Sequence, residues 1–583
     1  MPFPFSLLVL LVTQAGSAPG PADSAAVLDA ARAAQAAFER LRIDHLPAAM
    51  GSSGAECDEI VGRFCFWHGD DDDWVPPPEH PRVRAARDRL IAQLDSLGRL
   101  SPGHDWIAGQ RVRYLVEHGR LDAAARAGAE CGGTPWWCLA LSGYVHHAAR
   151  RFAPADSLFA AALARAPQAD RCAWTDLSWV LDEVPREYRR APCDRRRALE
   201  ERIWWLADPL YLTPGNERRT EHYARHVLSR FQDQARSGYA VRWGDDLDEL
   251  LIRYGWPAGW ERDVSRRGYD GGGRSIISHH APRSREFMPT RQFITDPATI
   301  TQGGWDIDPD RPRSTYAPPY ARSFETLRDP QVGVFRRGTS AVVVAAFDVK
   351  ADEREGTWAG DPGTSGVNPL QGEATGEAAL VFLPGPITPA IVSRSMGPGP
   401  FRLALTIPWQ PGLVSLEAVG WGDSARAARS RWWLPLSGGA SLAVSDPLLF
   451  DAPGPDSLAN TLEEVFSALR TDGVVRAGDR VGVYWETRDW GDQPVVARFS
   501  LTVTRTGEGW LRRAARTLRL AGRNQPSVSL GWTEVLDDAP AVHPRSLALG
   551  LPDGPGGAYV LRIEVRVAEQ TAWAERRLMV ERR

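Results

Sequence analysis

Between Tyr559 and Val567 the chain reads YVLRIEVRV. Tyr559, Leu561, Ile563, Val565 and Val567 occupy one side of a period of two, and Arg562, Glu564 and Arg566 the other. An extended strand with one dry and one wet face places residues this way, which is the habit of antiparallel sheets packed as a sandwich. The signature recurs through the C-terminal part of the chain. TSAVVVAAFDV, EAALVFLP, FRLALTIPW, GLVSLEAVGWG and RWWLPL are parted by Gly/Pro turns. After SDPLLFD and the short helix LANTLEEVFSALRT come DRVGVYWET, VVARFSLTVTRT, SVSLGW and RSLALGL. We expect two sandwiches, over 336–446 and 447–583.

The N-terminal part has a different period. From Asp23 to about Trp205 the pattern is helical, as in AAVLDAARAAQAAFERL and PRVRAARDRLIAQLDSL, so an all-α region is expected over 23–194. The segments RYLVEHGRLDAAARAGAEC and GYVHHAARRFAPADSLFAAALARAP are related, with Ala124 and Ala155 at matching places. The second copy resembles a tetratricopeptide repeat in Gly143, Ala155, Phe159, Ala162 and Pro167. Small residues there let paired helices approach, and Phe159 fills the groove between them. The first copy is degenerate, so the region reads as a repeat-like array. Plain helical packing and a groove for a protein partner both fit it. The sandwiches, for their part, resemble immunoglobulin-like modules.

A chain of 583 residues has room for three or four domains. Its formal net charge of −4 calls for neither nucleic acid nor an anionic membrane. Lys350 is its single lysine. Phosphate-loop NTPases, protein kinases and Schiff-base enzymes need a positioned lysine amine, and no Gly-rich loop precedes Lys350.

The start, MPFPFSLLVLLVTQAGSAPGPADSAA, has an apolar run too short to span a bilayer, followed by small residues. A charged n-region is missing. The layout is that of a secretory signal over 1–22, cleaved near Ala15, Ala18 or Ala22, and a periplasmic or secreted location is expected. No later segment is apolar enough to span a membrane. Six cysteines at local spacing, Cys57 with Cys65, Cys131 with Cys138 and Cys172 with Cys193, favour disulfides in an exported chain.

Between these regions lies IWWLADPLYLTPGNERRTEHYARHVLSRFQDQ, then GYAVRWGDDLDELLIRYGWPAGWER. The first holds a helix with Tyr223, Val227 and Phe231 on one stripe. In the second, Leu250, Ile252 and Tyr254 are read as one face of a short strand ended by Gly255-Trp256-Pro257. The combination resembles the GWxTD-domain proteins, exported bacterial proteins of no assigned activity. The resemblance rests on Asp208-Pro209, Thr213-Pro214, Asn216-Glu217, Glu221-His222-Tyr223, Trp243, Asp246 and Ile252-Arg253-Tyr254-Gly255-Trp256-Pro257. Arg242 and Asp245 stand where the family name has Gly and Thr. A small α+β module is expected over 195–265, and 266–335, rich in Gly, Pro and Arg, reads as an extended connection.

No catalytic motif emerges. His222 and His226 are one helical turn apart but lack HExxH, and His279-His280 point opposite ways in an extended chain. Asp70–Asp73 lack the glycine and distal glutamate of a calcium loop. GSSGAEC at Gly51 is no nucleophile elbow, and no GxGxxG follows a strand. No catalytic, metal or cofactor residue is therefore assigned. The tryptophans of 238–262 are expected to be buried, with Asp245, Asp246, Arg242, Arg253 and Arg262 pairing among themselves at a rim without a pocket. The expected role is that of an exported, non-catalytic interaction or scaffold protein of the cell envelope, with a protein partner on the helical region. The alternative is an envelope hydrolase or carbohydrate-binding protein using Trp-rich sandwich faces.

Overall fold

The computed structural model describes residues 21–583 apart from 50–56, 70–73, 264–275, 350–375, 421–425, 437–441, 455–457, 489–494, 507–527, 537–541 and 552–555, and positions 239, 322, 328, 453, 472, 477 and 583. The expected signal segment, Lys350, Gly51 and Asp70–Asp73 thus lie outside the described residues, save that residues 21 and 22 open the first helix. The chain forms two compact units. One holds Met1–Val180, Gly215–Pro282 and Arg313–Tyr316; the other holds Leu181–Pro214, Arg283–Pro312 and Ala317–Arg583.

In chain order the elements begin α1 (Pro21–Asp44), β1 (Ala48–Ala49), β2 (Glu59–Val61), β3 (Phe64–Phe66), α2 (Pro81–Leu100), α3 (Asp105–Glu117) and α4 (Leu121–Ala129). Next come α5 (Pro135–Ala148), α6 (Phe152–Arg165), α7 (Gln168–Thr175), α8 (Arg186–Arg190) and α9 (Arg197–Ala207). Then follow α10 (Glu217–Gln232), α11 (Asp245–Tyr254), β4 (Gly259–Asp263) and β5 (Ile276–His279). The helical expectation for the N-terminal region holds. Prolines 81 and 135 open α2 and α5 at the position where a missing N–H costs nothing. The small residues do what their size allows. Ala124, Ala140, Ala155 and Ala162 are buried in one core with Leu94, Val112, Leu141, Val145, Phe159 and Val227. Gly143 faces the Phe159 ring so closely that a Cβ would lie 3.0 Å from it.

The strand expected at Leu250–Tyr254 is instead the helix α11. Leu247, Leu250, Leu251 and Tyr254 satisfy a period of 3.6 better than Leu250, Ile252 and Tyr254 satisfy one of two. Asp245, Asp246 and Asp248 in the first turn favour the positive end of its dipole, and Gly255 (φ 87°) ends it. All six cysteines are disulfide-bonded. Cys57–Cys65 closes the β2–β3 hairpin, and Cys131–Cys138 joins the end of α4 to α5. Among the described residues no helix is long and apolar enough to cross a membrane.

The second unit continues with α12 (Arg291–Thr295), β6 (Ser323–Thr326), β7 (Gln331–Arg337), β8 (Ser340–Phe347), β9 (Gly376–Leu383), β10 (Ile391–Gly397) and β11 (Phe401–Pro408). It completes this sandwich with β12 (Gly412–Gly420) and β13 (Arg426–Leu434). One sheet runs β10-β9-β12-β13-β6, the other β11-β8-β7. Val343, Ala345, Leu380, Phe382, Leu403, Leu405, Val414 and Leu416 fill the space between them. Residues 283–312, expected as connecting chain, are folded: Phe287, Phe293, Ile294, Ile300, Trp305 and Ile307 are buried. Pro and Gly prevent regular periodicity there without preventing burial of large side chains. β6 and β7 pair with β13 and β8, so sandwich strands begin before position 336.

The last elements are β14 (Ala443–Val444), β15 (Leu448–Phe450), α13 (Leu462–Ala468), β16 (Val474–Arg476), β17 (Arg480–Arg488), β18 (Val495–Arg505), β19 (Val528–Leu536), β20 (Val542–Gly550), β21 (Gly557–Val567) and β22 (Gln570–Glu581). β17 pairs with β14, β15 and β20, and a second sheet runs β16-β22-β21-β18-β19. The alternation of β21 is as the sequence requires: Tyr559, Leu561, Ile563, Val565 and Val567 are buried, with Arg562, Glu564 and Arg566 outward.

Candidate functional site

Residues of α10 and α11 that carry the sequence resemblance meet through buried arginines. Asn216 caps α10 by accepting from the Arg219 N–H at 2.8 Å. Further along α10, Arg225 is buried and donates to the Glu221 carboxylate at 2.7 Å. It also donates to the carbonyls of Ile252, Arg253 and Thr315 at 3.0, 2.8 and 2.7 Å. A cation thus satisfies the last carbonyls of α11. Arg253, also buried, donates to Glu59 and Glu249 at 2.9 and 3.0 Å, to the Arg313 carbonyl and to the Tyr254 hydroxyl. The Tyr254 ring stacks on Phe66 of the disulfide-closed hairpin.

Trp243, Trp256 and Trp260, expected to be buried, are half-buried and pack against a small core of Val61, Phe66, Leu247, Leu250 and Tyr254. The rim differs from expectation. Asp246 is bound by Arg63, which holds its pKa down to about 2. Arg253 reaches Glu59 and Glu249, and Arg262 donates to the Asp44 carbonyl. Asp246 and Arg253, two turns apart on one side of α11, both find partners on the β2–β3 hairpin, which the sequence places nearly two hundred positions away.

His222 is buried and His226 half-buried, with their rings edge-to-face at 4.7 Å. Nε2 of His222 meets the Trp174 carbonyl at 3.0 Å, and His226 stacks on Trp174. Burial pushes both pKa values down, that of His226 to about 3. Among the described residues, no three His, Cys, Asp or Glu side chains are grouped to hold a metal ion. His279 stacks on Trp74 while His280 meets Phe66 edge-on.

One constellation has the order of a hydrolytic triad: Thr220 Oγ1, His147 and Glu221, at 3.0 and 2.7 Å. Burial alone would raise the Glu221 pKa, but Arg225 and His147 hold it well below the usual carboxylate range. Thr220 is fully buried and its hydroxyl donates to the Glu217 carbonyl. The array therefore presents no hydroxyl to solvent.

Two clefts open on the helical unit, contrary to the expectation of a rim without a pocket. The larger, about 500 Å³, is lined by Gln232–Ser237 and Ala240–Trp243. The smaller, about 230 Å³, is lined by Arg32, His104, Trp106, Trp137, Arg230 and Phe231 among others, and shares Asp233 and Gln234 with the first. Arg230 lies over the rings of Trp136 and Trp137, and Trp106 donates its indole N–H to the Asp233 carbonyl. Asp233 is exposed at the rim; partial burial and Asp170 raise its pKa against the pull of Arg230.

Asp208 and Pro209 belong to the other unit. There Arg429 donates to their carbonyls at 2.8 and 2.9 Å, and Arg431 to that of Leu206 at 3.0 Å. Glu417 accepts the Leu212 N–H at 2.7 Å. Arg225, Gln232, Glu417 and Arg431 escaped the sequence reading. Only Arg225 left a legible trace there, four residues after Glu221 on one helix face.

No family model matches the chain, and no curated protein does. Among solved structures it is similar to red sea bream transglutaminase at 9% identity, over 44% of this chain and 32% of that one, with a TM-score of 0.14. It is similar to the sporulation control protein Spo0M of Bacillus subtilis at 12% identity, over 24% and 50%, with a TM-score of 0.16. A β-glucuronidase of Bacteroides uniformis matches at 7% identity over 41% and 26%, also at 0.16. The chain thus spans half or less of each of these proteins. Scores this low carry no argument about fold or activity.

Proposed function

We propose that the chain is an exported, non-catalytic interaction protein of the cell envelope, related to the GWxTD-domain proteins, that holds a protein partner on its helical unit. The observation that carries this reading is the pair of adjoining clefts. Trp106, Trp137, Trp243 and Arg230 around them are of the residue types that dominate binding energy at protein interfaces. The paired helices around Gly143 and Phe159 support a tetratricopeptide-like frame, and the facing sheets support two immunoglobulin-like modules. The test places a photo-crosslinking amino acid at Trp106 of the full chain in its native envelope. One recurrent protein adduct, lost with Arg230→Ala, is expected; adducts that scatter over many proteins and ignore Arg230 would refute the reading.

A second reading, carbohydrate binding, has one feature in its favour. Trp573 is 53% exposed on the outer face of the last sheet. Glu564 lies opposite it in register, and Arg562 covers its ring at 4.4 Å while pairing with Glu575. A glycan array probed with the full chain and with Trp573→Ala decides it: retention of a glycan by the parent alone would favour this reading over the first.

A further inference from the structure

The larger cleft contains a contradiction in energy. Gln232 at the end of α10 is 1% exposed, and among the described residues neither its amide nitrogen nor its amide oxygen has a hydrogen-bond partner. A buried carboxamide left this way is a standing cost, and it sits in the wall of an open cleft. The chain that curls over it is strained as well. Gln234 (φ 58°) and Ala240 (φ 59°) both occupy the left-handed region, which residues of these types avoid. Three unfavourable features on one short loop are what a site looks like when its ligand is elsewhere.

The same protein shows what a glutamine amide does when its partner is present. Gln35 donates to the Arg236 carbonyl at 3.0 Å and accepts the Arg236 N–H at 2.9 Å. Gln331, in the other unit, donates to the Leu449 carbonyl at 2.9 Å and accepts the Leu449 N–H at 2.6 Å. Each carboxamide clamps one residue of a main chain at two points, as a neighbouring strand would. Gln232 has the same two groups and lacks the main chain.

Resting on the interaction reading above, we infer that the cleft walled by Gln232–Ser237 and Ala240–Trp243 binds an extended peptide segment whose main-chain N–H and C=O pair with the Gln232 carboxamide. The two amide atoms are closed off from solvent in this conformation, so binding is coupled to a lift of the loop about Gln234 and Ala240. The wall fixes the character of the segment. Val241 is 42% exposed beside the half-buried Trp243, which suits an apolar side chain. Arg236 and Arg242 against the single Asp233 leave an excess of positive charge, which suits flanking carboxylates.

The experiment uses the full chain and the blocked tripeptide acetyl-Glu-Leu-Glu-amide, with hydrogen exchange read by mass spectrometry. The tripeptide is expected to slow exchange in fragments covering 232–243. A version with N-methylated main-chain amides should not, because methylation removes the donor. Gln232→Leu should weaken the tripeptide about tenfold or more while leaving the thermal midpoint unchanged or higher, since it removes an unpaired buried amide. Gln232→Glu, which keeps the size and loses the donor, should weaken it in the same way. A tripeptide that protects nothing, an N-methylated one that protects equally, or a Gln232→Leu chain that keeps the peptide and loses stability overturns the inference. Protection at the Trp106 cleft instead overturns it too, yet leaves partner binding by the helical unit standing.

Discussion

The space that a side chain at Gly255 would enter is held by Arg225, whose Nη2 lies 3.1 Å from the Cβ position. The contact explains a pair of residues 30 positions apart. Gly255 must reverse the chain at φ 87° after α11, and Arg225 must reach past it to the last carbonyls of that helix. Gly255→Ala meets both backbone strain, about 1 kcal/mol or more, and the guanidinium. Arg225→Met takes the guanidinium from three carbonyls and leaves Glu221 with His147 alone, with an expected loss of about 3–5 kcal/mol. Urea unfolding of the two variants and their double mutant measures the coupling. Strict additivity would mean that the two residues do not act as one cap.

Acid should destabilise the helical unit before any carboxylate titrates. His222 and His226 have pKa values lowered by burial, the latter to about 3, with Asp176 opposing burial on His226 and Arg218 and Arg225 acting with burial on His222. A group whose folded pKa lies below its unfolded value binds its proton in the unfolded chain first. Stability therefore falls as pH drops below about 6.5, by up to about 1.4 kcal/mol per pH unit for each histidine. His146, also lowered, acts in the same sense. Glu221, depressed, adds its own loss only below the ordinary glutamate range, and Asp233 and Asp248, raised, oppose it there. Thermal melts between pH 7.5 and 5.5 therefore isolate the histidines. His226→Phe, which keeps the ring on Trp174, should flatten the slope; an unchanged slope removes His226 from the account.

In the other unit, Glu417 and Arg431 are fully buried and tie the main chain of Leu206–Leu212 to the sheet. Arg431→Met leaves Glu417 a buried charge with weaker company, at a cost of about 3–5 kcal/mol, and adding Glu417→Gln should return part of it. The specific readout is hydrogen exchange at residues 206–212, which should quicken in the single variant more than at β8 or β9. Uniform quickening would show a general loss of stability and no clamp.

What the sequence made legible follows from which signals are local. The 3.6 period of the N-terminal region, the alternation of β21 and the near-neighbour pairs Cys57–Cys65 and Cys131–Cys138 are local, and the structure carries each of them. The misreading of α11 came from a segment of ten residues in which two periods compete, decided by the acidic first turn and Gly255. The partners of Asp246 and Arg253 were out of reach, since Arg63 and Glu59 arrive from a hairpin nearly two hundred positions away. The unpaired amide of Gln232 leaves no sequence signal at all, because it is defined by what fails to meet it.

The contact between Gly143 and Phe159 tests how far the repeat-like reading goes. If α5 and α6 owe their spacing to the missing side chain at 143, Gly143→Ala places a methyl at 3.0 Å from the ring, tighter than ordinary packing. Its gain in helix propensity, about 1 kcal/mol, should then be lost to overpacking, and Gly143→Val should cost about 1–3 kcal/mol. Phe159→Leu alone should also destabilise, by emptying a fully buried site. Combined, Gly143→Ala and Phe159→Leu should be less harmful than their sum, because the smaller residue makes room for the methyl. Chemical denaturation of the four chains supplies the cycle. A Gly143→Ala chain more stable than the parent would show that α5 and α6 have slack between them, and the close-packed repeat geometry would have to be given up.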